Sequence, residues 1–285
     1  EKVLKIGLQG VINESKEHIK EFIKKQDGDL EALDFWQASI IACEAAITLS
    51  KRYAQCARDM AAKEKDETRR VELEEIAKVC DWVPENSART FHEAMQCMTF
   101  VELAICLQRG VGGTGGWSHV DECMYPFFMR DLENGSLTMQ KAADLVGGFF
   151  NFVARRERVS HIMWRDYSQK TNLGSISVGG VSRDGKEDLS NELTYLLLHM
   201  TGILADPEPH IPIRWHSGTP RWLMRKAMET NVRVGGGVPQ FQNSEHITNY
   251  LMSVGVSEEN ARDWCGQGCS QAEPWDQRTS MVPTY

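Results

Sequence analysis

Positive charge is in short supply. Lys and Arg total 32 against 40 Asp and Glu, a formal net charge of −8, and a general nucleic-acid binder would need the basic face that this balance withholds. No apolar run approaches the ~20 residues that span a bilayer. No secretory signal opens the chain either, because residues 1–25 mix charged and apolar positions in a helical period. Internal repeats and low-complexity tracts are missing. A soluble, cytoplasmic protein with no nucleic-acid or membrane partner is therefore expected. What the chain does have, 41% hydrophobic and 25% charged residues, excludes extensive disorder. Its 285 residues suffice for one large domain or two ordinary ones. It begins inside a helix-like pattern without Met and stops at Val282-Pro283-Thr284-Tyr285, as expected of a piece cut from a longer polypeptide.

Eight cysteines stand at 43, 56, 80, 97, 106, 123, 265 and 269. The first five lie in helix-like runs at wide spacing, so reduced, buried and inert thiols are expected there. Helical periodicity marks residues 4–23, 30–60, 66–79 and 90–107, the last apolar nearly all round and expected in the core. Gly110 to Gly116 holds five glycines but no Lys-Ser/Thr ending, so it reads as a loop entering a helix rather than a phosphate cradle. Beyond a further helix from 138 to 152 the character changes. Residues 175–178, 211–216 and 240–243 read as strands that alternate with helices, one with Thr219 as cap and Pro220 at its first position, another capped by Ser257. That alternation predicts an α/β fold with parallel pairing, residues 1–160 mainly helical and 161–285 mixed.

Chemistry concentrates in Asp263-Trp264-Cys265-Gly266-Gln267-Gly268-Cys269-Ser270-Gln271-Ala272-Glu273-Pro274. Two glycines between the thiols let the backbone present a small side chain at a loop tip. No third Cys or nearby His completes a metal set, so no metal is expected. A redox pair would have two intervening residues instead of three. His216 or His246 could partner a nucleophilic thiol only by proposal. On this pattern alone, an inert loop thiol and a catalytic one stay open.

Ala261-Arg262-Asp263-Trp264 followed by Gly268-Cys269 resembles the active-site cysteine loop of the glycyl radical enzymes, the family of pyruvate formate-lyase. Further similar stretches keep the same order along the chain: Phe35 to Glu44, Ala88 to Ala94, Tyr125-Pro126-Phe127-Phe128, Asp131 to Gly135, Ser177 to Gly180, Asn191 to Tyr195, Arg214-Trp215-His216 and Val238-Pro239-Gln240-Phe241. The resemblance covers essentially the whole chain. It implies part of a ten-stranded α/β barrel with the cysteine loop inside. It also implies a glycyl radical, installed by an S-adenosylmethionine/iron–sulfur activating enzyme, that takes hydrogen from the thiol of Cys269. The resulting thiyl then takes hydrogen from substrate. Low exposure would support that role, the reverse of the usual test for a reactive thiol.

The family's radical-bearing Arg-Val-x-Gly-Tyr loop has no match, since Arg233-Val234-Gly235-Gly236 lacks the Tyr; this piece is not expected to act alone. Ser270 stands where pyruvate formate-lyase has a second cysteine, which argues against acyl transfer. Gln271 stands where family dehydratases, choline lyase and a decarboxylase have an acid/base Glu, and a carboxamide cannot titrate. Glu273 could replace it only if the loop turns back or carries an insertion. The succinate synthases also lack that Glu, so radical addition of a hydrocarbon to fumarate is the expected reaction, with a decarboxylase or C–C/C–X lyase (dehydratase-like) as the second reading. A non-catalytic helical scaffold is a third. Arg278 near the loop and Arg214 on the polar side of its strand are candidate carboxylate forks, and His216 a candidate orienting residue or proton donor. Trp117, Trp164, Trp215 and Trp275 could line an apolar pocket, although core packing is their default. A homodimer, with small subunits in some members, is implied by the family.

Overall fold

The computed structural model describes residues 1–25, 29–109, 116–155, 174–206, 208–267 and 271–274. The chain divides into two compact units, residues 1–105 and 106–285.

The first unit is helical. α1 (Lys2–Lys25) lies along α2 (Leu30–Ala61), which also packs against α3 (Glu67–Trp82); α4 begins at Phe91 and runs to Arg109. Asp29 and Asp66 start α2 and α3 by accepting from the amides of Glu31 and Arg69, each at 2.9 Å. His18 stacks on Trp36 with ring centroids 5.2 Å apart and ties α1 to α2. Ala54, Cys80 and Phe100 close a small core.

Four expectations need correction here. α1 is not one continuous helix: Gly7 sits at φ 66°, because the backbone of Glu85 and Asn86 passes where a side chain would be. α2 contains an apolar window of mean hydropathy 1.2, long enough to cross a membrane by length and composition; Asp34 and Glu44 interrupt it. Of the five helical cysteines only Cys80 and Cys97 are buried, while Cys56 is exposed. In α4, burial holds for Phe91, Met95, Cys97 and Phe100 but not for Leu107.

The second unit is α/β. In chain order it has β1 (Gly116–Trp117), α5 (Val120–Glu133), α6 (Met139–Arg155), β2 (Ser175–Ile176), β3 (Val178–Gly179), α7 (Glu192–Leu204), β4 (Pro212–Trp215), α8 (Arg221–Val234), β5 (Gln240–Asn243), α9 (Ser244–Ser253), α10 (Glu258–Arg262), β6 (Trp264–Gln267) and β7 (Gln271–Pro274). β1 pairs with β2, and β3, β4 and β5 pair in that order, all parallel. β6 and β7 form an antiparallel hairpin. The predicted parallel α/β arrangement is therefore present.

Gly116, expected in a loop, instead pairs with Ser175; a two-residue strand leaves no periodic signal. Asn191 caps α7 in a reciprocal box with Thr194. Thr219 does not cap α8. Its hydroxyl accepts from the His216 amide at 2.8 Å, and Pro220 occupies the cap position instead. Ser257 caps α10 as expected.

Candidate active site

Alternation along the strands separates two chemistries. Ile176, Val178, Ile211 and Ile213 are fully buried on one side. Ser175, Ser177, Arg214, Gln240 and Gln242 occupy the other. The β6–β7 hairpin lies on this polar side. Ser177 Oγ donates to the carbonyl of Gly266 at 3.0 Å and accepts from its amide at 2.7 Å. A Cβ on Gly266 would fall 2.5 Å from Gln242 Oε1 and 2.7 Å from Pro212 Cβ, so three strands converge where only glycine leaves room. The hairpin face that carries Gly266 also joins the core: Trp264 and Ala272 pack with Leu251, Val256 and Ala261. Trp264 Nε1 donates to Ser244 Oγ at 3.0 Å.

Register decides where Glu273 sits. Gln267 pairs with Gln271, Gly266 with Ala272 and Cys265 with Glu273. The chain thus turns back within three residues, and Glu273 returns opposite Cys265 on the face away from Trp264. Burial raises the carboxyl pKa of Glu273 above its ordinary value. Cys265 is buried. Cys269, between the two strands, and Arg278 lie outside the described residues, as do Trp164 and Trp275. For Gln271 the backbone register is given above.

Arg214 does something other than present a carboxylate fork. It is fully buried, and Nη1 donates to the carbonyl of Trp264 at 2.9 Å. Nη2 donates to the carbonyl of Gly179 and meets His119 Nδ1 at 2.9 Å. Gly180, at φ 98°, makes room for it, since a Cβ there would lie 2.6 Å from the guanidinium carbon. Burial pulls the Arg214 pKa down while Asp121, Asp263 and Glu122 hold it up, and an arginine keeps its charge in proteins.

Asp121, also fully buried, accepts from the Gly179 amide at 2.8 Å and the Thr194 hydroxyl at 2.6 Å. Burial raises its pKa against those bonds and the nearby Arg214. His119 Nε2 faces Asp263 Oδ1 at 3.2 Å, and Arg183 Nε faces Asp263 Oδ2 at 3.3 Å.

His216 is not brought to the hairpin. Its Nε2 meets Asp188 Oδ2 at 2.8 Å, and its Nδ1 accepts from the Gly218 amide at 3.2 Å. It lies two residues past Arg214, while β6 runs from the level of Arg214 toward that of Pro212, away from it. Trp117 packs edge-on against Phe149 with centroids 5.2 Å apart, the ordinary core role.

Asp188 borders an open groove of about 650 Å³ with Tyr125, Glu192, Tyr195 and Trp222. There the Tyr125 hydroxyl donates to Glu192, which pushes its pKa up to about 12.

Sequence reasoning missed His119, Asp121 and Asp263 as partners of Arg214. Asp263 stood inside a motif already singled out; His119 follows the glycine run with no distinguishing pattern.

The family described as pyruvate formate lyase-like matches residues 1–284. The chain belongs to this family of glycyl radical enzymes. It is 32% identical over 288 residues to the isethionate sulfite-lyase of Oleidesulfovibrio alaskensis, covering 95% of this chain and 33% of that protein. The glycerol-bound B12-independent glycerol dehydratase of Clostridium butyricum superposes with a TM-score of 0.85 at 31% identity, over 96% of this chain and 34% of that one. A glycyl radical enzyme of Archaeoglobus fulgidus gives 0.87 at 26% identity, over 96% and 35%.

The chain therefore spans about a third of the length of these relatives. A non-catalytic scaffold is set aside by this kinship. So is fumarate addition as the leading reading: the relatives are lyases and dehydratases, and the succinate synthase subgroup finds no support among them.

Proposed function

We propose that this chain supplies the cysteine hairpin of a glycyl radical lyase or dehydratase that breaks a C–X bond next to the carbon losing hydrogen. The observation that carries the reading is the hairpin itself. It brackets residues 268–270, is laid on the polar strand face, and has flanks sealed by Trp264, Cys265 and Ala272, all buried. A sulfur-centred radical needs such exclusion of water and oxygen, so these surroundings suit the family's cofactor. The glycyl radical, installed elsewhere in the full-length protein by a radical-SAM activating enzyme, supplies the unpaired electron.

Cys269 is the proposed thiyl carrier. Its sulfur takes a hydrogen atom from a substrate C–H, forming S–H. The adjacent C–X bond then breaks with the pair leaving on X, and the S–H finally returns its hydrogen to the product carbon. Where X is hydroxyl, a proton on X makes water, and the hydroxyl on the radical carbon gives up its own proton, so charge balances. Glu273 fits the acid in this scheme. The hairpin turns back, as that role requires, and its register sets Glu273 opposite Cys265, two residue pairs from residues 268–270; burial raises its pKa, which favours the protonated form. Gln271 and Arg278 are kept as substrate contacts by their proximity in sequence.

The polar strand face supports a hydrogen-bonding substrate over a hydrocarbon. Ser175 Oγ and Gln240 Oε1 are buried without a hydrogen-bond partner among the described residues, whereas Gln242 Oε1 is closed off by Gly266. Filling their surroundings with a hydrocarbon would leave each unpaired, at about 1–3 kcal/mol. A hydroxyl-bearing substrate would satisfy them. Fumarate with a hydrocarbon stays only as the alternative that a product analysis would have to reveal. A homodimer, any small subunits and a cytoplasmic, anaerobic setting follow the family.

The test is Cys269→Ser in the full-length protein. Turnover should vanish while the glycyl radical persists by EPR; full activity would overturn the assignment.

A further inference from the structure

Arg214, His119 and the dipeptide Asp263-Trp264 close a ring at the root of the cysteine hairpin. Arg214 Nη1 holds the Trp264 carbonyl at 2.9 Å, and Nη2 meets His119 Nδ1 at 2.9 Å. His119 Nε2 faces Asp263 Oδ1 at 3.2 Å. Arg214 can only donate, so His119 Nδ1 accepts and the imidazole proton sits on Nε2, the nitrogen that lies 3.2 Å from the Asp263 carboxylate as a charge contact. In this tautomer the nearby Glu122 Oε2, 3.2 Å from Nδ1, receives no proton from it.

The ring thus grips the two-residue unit Asp263-Trp264 where α10 hands over to β6, Asp263 by its carboxylate and Trp264 by its carbonyl. It fastens that unit to two other elements: β4 through Arg214 and the N-cap of α5 through His119. Asp121 anchors it from beneath, accepting from the Gly179 amide whose carbonyl Arg214 holds. Arg183 takes the second oxygen of Asp263 at 3.3 Å. His119 holds a left-handed backbone at φ 53° to reach this place, a conformation kept only where the surroundings fix it.

We infer that Arg214 and His119 are positioning residues for the radical step: they fix the direction in which β6 leaves its root, and with it the reach of the hairpin that carries Cys269. This rests on the reading of the hairpin as the thiyl carrier. It assigns Arg214 to the enzyme's own backbone instead of to substrate.

Hydrogen transfer falls off steeply with misplacement, and about 1 Å can cost roughly 10²-fold in rate. A lysine at 214 keeps the charge but cannot hold Trp264, Gly179 and His119 together. A glutamine at 119 reaches Asp263 but offers no acceptor at the Nδ1 position.

The experiment compares Arg214→Lys and His119→Gln with wild type in the full-length activated enzyme, measuring glycyl radical content by EPR, KM, and kcat per radical. The expected result is a normal radical content and a KM within about twofold, with kcat per radical lowered by roughly 10²-fold. A merely structural role would reduce the amount of radical-bearing enzyme and leave kcat per radical unchanged, and that result overturns the inference. If Arg214→Lys does not fold, His119→Gln decides alone. Cys269→Ser runs alongside. Activity in that variant removes the thiyl reading itself, whereas a dead Cys269→Ser with wild-type kcat per radical in both ring variants removes only the positioning roles.

Discussion

The hydroxyl of Ser177 binds both backbone groups of Gly266, donating to the carbonyl at 3.0 Å and accepting from the amide at 2.7 Å. One side chain between β2 and β3 thereby satisfies both peptide groups of a hairpin residue. The hairpin is thus pinned twice, by Arg214 at Trp264 and by Ser177 at Gly266, two residues apart on one strand.

Gly266→Ala should break the second pin. The added methyl would meet Gln242 Oε1 at 2.5 Å and Pro212 Cβ at 2.7 Å, and the proline cannot swing away. Overpacking of this kind costs about 1–3 kcal/mol. A lower melting temperature of the full-length protein is the expected result. An unchanged one would mean that the hairpin stands further from the strands.

The parallel α/β arrangement was legible because β4 alternates so plainly, with Ile211 and Ile213 on one side and Arg214 on the other. The cysteine loop was legible as a motif. The role of Arg214 was not: a sequence shows that an arginine lies on a polar strand face, but not that the carbonyls of Gly179 and Trp264 arrive there from two other segments. Glu273 was legible only as a conditional, because a three-residue turn and an extended segment look alike until register is known. The kink at Gly7 and the loss of Thr219 as a cap share one cause. In each, a partner distant or unpredicted in sequence claimed the group that local rules had assigned.

Asn191→Ala tests the cap of α7. Asn191 Oδ1 accepts from the amides of Leu193 at 3.0 Å and Thr194 at 3.1 Å, and its Nδ2 donates to the Asp121 carbonyl at 3.1 Å. Loss of such a cap costs about 1 kcal/mol. Chemical denaturation should show a decrease of this order. Asn191→Asp should restore most of the helix cap while losing the bond to Asp121.

Tyr125 offers a spectroscopic check on the groove beside α7. Its hydroxyl donates to Glu192, which holds the phenol's pKa up at about 12. Glu192→Gln removes the charge and should bring the phenol back toward its ordinary value of about 10. Ultraviolet titration of the variant against wild type reads this directly. One tyrosine should move to lower pH, and the absence of any such shift would show that the pair does not form.

The pH dependence of turnover should report Glu273. Burial raises its pKa, so the folded protein holds this proton to higher pH than an unfolded chain, whose glutamate loses it near about 4.3. Stability contributed by the group is therefore fully present below the unfolded pKa and is lost as pH rises through the folded value, opposite to a carboxylate held by a salt bridge. Catalysis should follow the same proton. With Glu273 as acid, kcat falls as pH rises through the raised pKa. Glu273→Gln should lower kcat by about 10²–10⁴-fold and abolish that limb, because the amide cannot titrate. If the limb survives in the variant at the same pH, another group supplies the proton, and Glu273 serves only as the strand partner of Cys265.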